Sequence, residues 1–582
     1  MGNLKYFSLL MVAGMFAACS DNLENPGNEN DGPKTGEGYV KVAINLPSVS
    51  SSRAFDENNN LDDGDKKEYA VKNGIIAFFE GVKTDGENAA KLVKAYYMGT
   101  LTGTPDNDKH VSSTVTVQTL DAPMLSDDKN QMYALVILNN GLNNSIVSVE
   151  NDGKRLSFKS GDAPIILEAG TSTINDLYGK WSLNASDITS DANGFLMLNS
   201  PLYNGTKAQT LVPVTVSKTK DGAETANIYV ERVVAKVDVS INPTSPGDYF
   251  TENNRSGLSV KKDGSIYTGD KVVFIDESAD APKLGWTLNV TNKNTKPLRN
   301  VSSIATWLGY GTIKSYFIGN TAVYEEGTEP NKISWKRIYW AIDNNYDATA
   351  TDFNVYNETN KPEDKSWGAY STSTIVPQYC LENTASAANV KDNNTTAVLI
   401  KATYWVDEIA DSEDKSFFMI DDNAATVTKA DFLEKVKNTL DPNGTASLTL
   451  GINEKADGGY YTGAEELKTL ITGISGNTYD TALDELGTIR YYKDGGCYYY
   501  AVPIKHFNDI TKPSGTIEDS NFLGAYGVVR NNWYQITINS VSGPGAPGVT
   551  DPGEGGVEDE EGYIKCSINI LSWAKRTQGV EL

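Results

Sequence analysis

Cys19 is the residue whose surroundings specify chemistry most plainly. Ala17 and Ala18 stand directly before it, preceded by the apolar run Tyr6–Phe16 with Lys5 ahead of it. Small residues in front of a cysteine match the bacterial lipobox, in which the thiol is acylated and the cysteine becomes residue one of the mature chain. The apolar run is about a dozen residues, too short to span a bilayer stably, so residues 1–18 read as a signal peptide. Several acyl chains on one residue would hold such a precursor firmly in a membrane.

Other chemistry finds little support. The chain has 2 histidines, His110 and His506, which leaves few places for histidine-based acid–base catalysis. Cys380, Cys497 and Cys566 remain once Cys19 is lipidated, and no C-x-x-C or Cys/His spacing suggests zinc, so they read as small buried apolar residues. The stretch Asp56–Asp63 resembles a calcium loop, but Leu61 stands where an EF-hand needs glycine and Lys67 where it needs glutamate. Among 76 carboxylates no pair stands out as a glycosidase dyad. Gly495-Gly496 reads as a hairpin turn rather than a phosphate loop. No nucleophile–base pair or metal set emerges, so neither an enzyme nor a cofactor is expected. A net charge of −25 excludes nucleic acid as a natural partner, because phosphate binding needs a basic face.

The elements behind these residues are mainly strands. At 582 residues the chain exceeds one compact core, and its 31 Tyr and 51 Gly favour strands joined by tight turns. Residues 20–37 read as a flexible tether. Tyr39–Leu46 then alternates, with Val40, Val42, Ile44 and Leu46 on one face and Lys41 and Asn45 on the other, as a half-buried strand ended by Pro47. Met132–Leu138 is continuously apolar, as in a strand covered on both faces. Ala226–Ile241 is too long for one strand of a small domain, which puts a domain boundary near Arg232. Thr428–Asp431 with Phe432, Leu433, Val436 and Leu440 predicts a capped helix, and Ala464–Ile471 a shorter one. Residues 543–562, rich in Gly, Pro and acidic residues, read as a flexible linker reaching about 60 Å at ~3.3 Å per residue. Beyond it, Tyr563–Leu571 carries Ile564, Cys566, Ile568 and Ile570 on one face. A lone strand beyond a linker cannot fold by itself and must dock on its own chain or on another.

Several stretches together carry a family resemblance. They are the Cys19 lipobox, Tyr39–Leu46 followed by Arg53-Ala54, Tyr229–Val237, Gly285–Val290, Tyr379–Thr384, and Tyr526–Tyr534 leading into the Gly/Pro segment and a strand with Trp573. In order and spacing the chain resembles the fimbrillin (type V pilin) family of Bacteroidia-type bacteria, notably the Mfa-like major subunits of short fimbriae. Ser20–Glu24 likewise resembles the signals that send lipoproteins to the outer face of the outer membrane in such bacteria. The resemblance implies two tandem transthyretin-like Greek-key β-sandwiches, with a few short helices in the second. These would occupy residues 54–232 and 233–542, between a lipidated propeptide at 19–53 and a linker with donor strand at 543–582. It further implies export as a lipoprotein and cleavage between Arg53 and Ala54 by an extracellular trypsin-like protease. Removal of the first strand would follow, with the emptied groove filled by a neighbour's C-terminal strand. The implied partners are further copies of the chain, anchor and tip subunits, the protease, and the outer membrane through the lipid. The implied destination is an extracellular fimbria.

Three alternatives stay open, the first being an anchor or tip accessory subunit that keeps its lipid or caps the filament. Both end strands could be permanent parts of their own domains. A surface lipoprotein could instead bind glycans through Trp307, Trp340 and Trp367.

Overall fold

The computed structural model describes residues 37–45, 68, 70–98, 115–161, 163–188, 194–243, 247–262, 266–279, 281–309, 317–319, 322–327, 330, 332–347, 352–371, 376–409, 412–421, 425–501, 504, 506, 523–552 and 564–572. The signal peptide, Cys19, Leu46, Arg53, Ala54, the acidic loop Asp56–Asp63, His110 and Trp573 lie outside the described residues.

Strands dominate, as the composition requires, and two large sheets carry the fold. The first runs in the order Lys91–Met98, Gly74–Val82, Asn130–Leu138, Met197–Asn199, Thr225–Arg232, Glu37–Asn45, Val115–Pro123, and Val212–Val214 also pairs with Asn130–Leu138. The second runs Gly285–Asn289, Ala397–Trp405, Ile266–Asp276, Arg255–Lys262, Asn532–Val541, Val234–Ile241, Gln378–Leu381. Gly496–Ala501 pairs with Ala397–Trp405, and Ile564–Ser572 with Asn532–Val541. The sheets share one arrangement. Glu37–Asn45 lies parallel to Thr225–Arg232, and Val234–Ile241 lies parallel to Asn532–Val541, so each sheet joins strands distant in sequence.

The long apolar stretch expected at Ala226–Ile241 is two strands. The amide of Val233 turns to Leu196 O at 3.0 Å instead of continuing a ladder, and the chain changes sheets there. The parts on either side are not independent. Val233, Val234, Leu298, Leu381 and Trp533 join a core otherwise built from residues before 212, and Leu202–Tyr203 pairs with Ile333–Arg337. Asn130–Leu138 is buried on both faces, as its sequence predicts: Met132, Ala134, Val136 and Leu138 enter one core, and Tyr133, Leu135 and Ile137 the other.

Residues 407–495 form an insertion between two strands that pair directly, Ala402 opposite Cys497. It has its own sheet, Val427–Thr428, Phe417–Ile420, Thr488–Tyr492 and Gly459–Thr462, and its own core around Phe418, Phe432, Val436, Leu467 and Leu483. Both expected helices occur here, as Lys429–Leu440 and Gly463–Leu470, joined by Asp480–Asp484. Single helical turns at Ala185–Ile188 and Ile304–Trp307 were not legible, because they are too short to show a period.

Three expectations need correction. Gly495 does turn, at φ 72, and a Cβ there would lie 2.5 Å from Tyr404 O, but it makes no hairpin. The strands on either side of it, Thr488–Tyr492 and Gly496–Ala501, pair in different sheets. The first strand is not half-buried, since Tyr39, Ala43 and Asn45 are buried as well as Val40, Val42 and Ile44. The proposed linker is docked over its described part, Gly543–Pro552. Its missing apolar period misled, because backbone carbonyls rather than side chains make most of the contacts.

The helix Lys429–Leu440 yields a simple test. Thr428 Oγ1 accepts the amide of Asp431 at 3.2 Å and its hydroxyl donates to Asp431 Oδ2 at 2.6 Å. Thr428→Ala will cost about 0.5–2 kcal/mol, read as a lower urea midpoint for the unfolding of the insertion.

Candidate functional site

The first strand is enclosed rather than laid on an edge. Glu37–Asn45 pairs antiparallel with Val115–Pro123 over its whole length, and its Lys41–Asn45 portion pairs parallel with Thr225–Tyr229. Val40, Val42 and Ile44 are 0% exposed and lie among Ile76, Phe78, Met132, Val136, Ile228 and Val230. Its leading end is clipped a third time, since Tyr39 N donates to Ser217 O at 2.7 Å and Ser217 N to Tyr39 O at 2.8 Å. Lys94 Nζ meets Glu37 Oε1 at 2.8 Å beside this clip.

The clip is itself held by a buried carboxylate. Glu87 accepts the amides of Thr210, at 2.9 Å, and Leu211, at 2.5 Å, and the Tyr178 hydroxyl at 3.1 Å. Those residues lead into Val212–Val214 and on to Ser217. Burial pushes the Glu87 carboxyl up to about 7, against the opposing pull of these hydrogen bonds.

The C-terminal strand Ile564–Ser572 pairs with its own chain, antiparallel to Asn532–Val541, with Ile564 opposite Val541, Cys566 opposite Ile538, Ile568 opposite Ile536 and Ile570 opposite Tyr534. Among the described residues this is its one partner strand. In this single chain both end strands are therefore seated at home.

Four of the stretches quoted above for the resemblance, Tyr229–Val237, Gly285–Val290, Tyr379–Thr384 and Tyr526–Tyr534, converge between the two large sheets. Lys236 Nζ, on Val234–Ile241, lies 2.9 Å from Glu68 Oε1 and 3.7 Å from the Trp533 ring centroid. Tyr379 OH donates to Glu68 Oε1 at 2.5 Å, and Arg232 Nε to Glu68 O at 3.0 Å. Arg299 bridges Glu231, at 2.8 Å, and Glu382, at 3.3 Å, while Arg530 Nε reaches Glu382 Oε2 at 2.8 Å. Arg530 also donates to Pro297 O and Lys296 O, both at 2.8 Å. Asn383 Nδ2 reaches Val290 O at 3.4 Å, bringing in the Gly285–Val290 stretch. Glu231, Arg232, Lys236, Arg299, Glu382 and Arg530 are all buried, so their charges are satisfied by one another and by backbone. Sequence reading quoted most of these residues but not their role. The signal available was charged residues inside apolar strands, as in Val230-Glu231-Arg232-Val233.

The remaining candidates resolve as packing. Cys380 and Cys497 are buried free thiols pushed up to about 12 by burial, which makes them unreactive. His506 is buried, with Nδ1 2.8 Å from Tyr534 OH. Trp307, Trp340 and Trp367 are 2%, 1% and 5% exposed, so the glycan-binding alternative loses the aromatic platform it needs. Among the described residues no group of three or more His, Cys, Asp or Glu side chains converges as a metal site.

Two measurements test these assignments. Glu382→Gln leaves Arg299 and Arg530 buried with half their counter-charge and will destabilise by about 3–5 kcal/mol in urea unfolding. For Glu87, the folded pKa of about 7 lies above the ordinary 4.5 of a glutamate, so the folded state holds this proton more tightly. That contribution is complete below pH 4.5 and is lost as pH rises to about 7. Urea midpoints taken across this window will fall less steeply in Glu87→Gln than in the parent protein.

Comparison with known proteins returned a family match and weak structural likenesses. Residues 490–579 match the family model "Major fimbrial subunit protein type IV, Fimbrillin, C-terminal". A search of the curated proteins returned no match. A fimbrilin (FimA) from Porphyromonas gingivalis W83 is 11% identical, over 92% of this chain and 98% of that one, at a TM-score of 0.37. The tip fimbrial protein Mfa3 from Porphyromonas gingivalis, solved with a C-terminal truncation, is 11% identical, over 92% of this chain and 100% of that one, at a TM-score of 0.31. Both likenesses are too weak to carry a role by themselves. The matched region holds the Asn532–Val541 strand, the docked Gly/Pro segment and the C-terminal strand. It is this end of the chain that is similar to the C-terminal region of fimbrillins.

Proposed function

We propose that the chain is the structural shaft subunit of a cell-surface fimbria that polymerises by donor-strand exchange and supports adhesion. It is exported as a lipoprotein on Cys19 and held at the outer membrane until a protease cuts between Arg53 and Ala54. The cut frees residues 19–53, which carry Val40, Val42, Ile44 and Leu46. A neighbour's Ile564, Cys566, Ile568 and Ile570 then enter the vacated slot, matching the same two-residue period.

One observation carries this reading: the difference between the two seats. Among the described residues the C-terminal strand has one partner strand at home, whereas the slot of Glu37–Asn45 offers two, Val115–Pro123 and Thr225–Arg232. Exchange therefore gives up one hydrogen-bonded ladder and gains two. The slot also buries apolar side chains. Val40, Val42 and Ile44, each 0% exposed, contribute on the order of 5–9 kcal/mol as an upper bound. While the first strand is covalently attached, its high effective concentration keeps competitors out. Cleavage removes that advantage, which makes proteolysis the switch. A head-to-tail contact repeated in this way builds an open filament.

The home seat of the C-terminal strand favours a second reading, an anchor or tip subunit that accepts a donor but does not give one. Limited trypsin separates the two. A shaft subunit will be cut after Arg53 and will run as a ladder of oligomers on unboiled gels. Arg53→Ala and a chain lacking residues 563–582 will each give no ladder. An accessory subunit gives no ladder even after cleavage, yet binds a synthetic peptide of residues 563–582. A ladder persisting in Arg53→Ala would refute the proteolytic switch.

A further inference from the structure

Resting on the exchange proposed above, we infer that the segment Gly543–Pro552 is a fixed exit for the C-terminal arm. It stays on its own subunit while residues beyond it reach the neighbour. Consecutive residues of the strand Gly496–Ala501 grip this segment. Tyr498 and Ala546 exchange both backbone bonds, at 2.8 and 2.7 Å, and Tyr499 OH donates to Gly543 O at 3.0 Å. Tyr500 OH donates to Thr550 O, and Tyr492 OH, from the preceding strand, to Gly545 O at 2.7 Å. Val549, 3% exposed, is packed with Trp367 and Leu399. A Cβ at Gly545 would stand 2.0 Å from Tyr498 O, so the contact is shaped to a bare backbone. Glycine and proline here serve close docking and not slackness.

The hydrogen bonds of the grip are not those that seat the C-terminal strand, although Gly496–Ala501 lies close to both. The segment is held by Tyr492 and Gly496–Ala501, whereas Ile564–Ser572 is held by Asn532–Val541. Departure of the strand breaks none of the segment's hydrogen bonds, but lifting the segment breaks every contact just named. With the exit fixed, the residues between Pro552 and Ile564 set the reach at no more than ~36 Å, at ~3.3 Å per residue. Freeing the arm from Gly543 onward would nearly double that length and lower the effective concentration of the donor about 2–3-fold, by the three-halves power of length. The segment thus holds neighbours close and at a regular spacing.

A reversible staple tests this. Residues that exchange both bonds in an antiparallel pair have Cα atoms about 5.5 Å apart, within disulfide range. In a Cys497→Ala background, Tyr498→Cys with Ala546→Cys pins the segment when oxidised and releases it when reduced. After trypsin, oxidised and reduced protein will assemble at rates within about twofold of each other. Loss of the oligomer ladder on oxidation, restored by reductant, overturns the fixed exit and leaves the donor role standing. Amide exchange supplies a second readout that does not depend on assembly. The Ala546 amide will be protected in both the unassembled precursor and the fibres, and its loss of protection in the fibres also overturns the inference. A ladder from the chain lacking residues 563–582 would sink the exchange itself, while Ala546 in the precursor still reports the docking.

Discussion

A strand inside a sheet has hydrogen-bonding neighbours on both sides, and this constraint governs the rest of the molecule. Glu37–Asn45 closes the first sheet between strands running in opposite directions. Remove it and two rows of backbone groups face water across an apolar floor that includes Ile76, Phe78 and Val136. Unpaired donors and acceptors of this kind are costly, and an exposed edge pairs with whatever strand is offered. A segment with the right period is then drawn into the gap. The C-terminal strand, seated among the described residues on one neighbour, is the segment proposed to fill it.

A fibre built from such contacts is no stiffer than its subunits, and here the buried ionic cluster bears on function. Glu68, Glu231, Arg232, Lys236, Arg299, Glu382 and Arg530 lock the two large sheets to each other. Buried ion pairs are poor sources of net stability, but they define geometry closely, because every alternative arrangement leaves a charge unpaired. The cluster therefore sets how Glu37–Asn45 in the first sheet stands relative to Ile564–Ser572 in the second. Glu68 has a further part. In the chain just before Gly74–Val82, it is tied to the second sheet through Lys236 and Tyr379.

Sequence reading recovered those features that periodicity encodes. The alternation of Val40, Val42 and Ile44, the two-faced burial of Met132–Leu138 and the capped helix at Lys429–Leu440 all follow from local spacing, and the structure places them so. It failed where contacts join distant residues. Glu231, in its strand, and Arg530, in the turn before Asn532–Val541, look like surface charges, and only the fold brings each to Arg299 or Glu382. The insertion at 407–495 was seen as two helices rather than as a body with its own core, because Ala402 and Cys497 are paired across it by tertiary structure alone. The docked Gly543–Pro552 segment reads as slack for the same reason: its own carbonyl oxygens accept from tyrosine hydroxyls distant in sequence, which no side-chain pattern within the segment reports.

The central claim is one of occupancy: which chain supplies the strand between Val115–Pro123 and Thr225–Arg232 in an assembled fibre. An electron cryomicroscopy map of fibres grown from trypsin-treated protein reads this directly. The account predicts density for Ile564–Ile570 of the adjoining subunit, continuous with that subunit's Gly543–Pro552 segment. Density for the subunit's own Val40, Val42 and Ile44 in that position would contradict it.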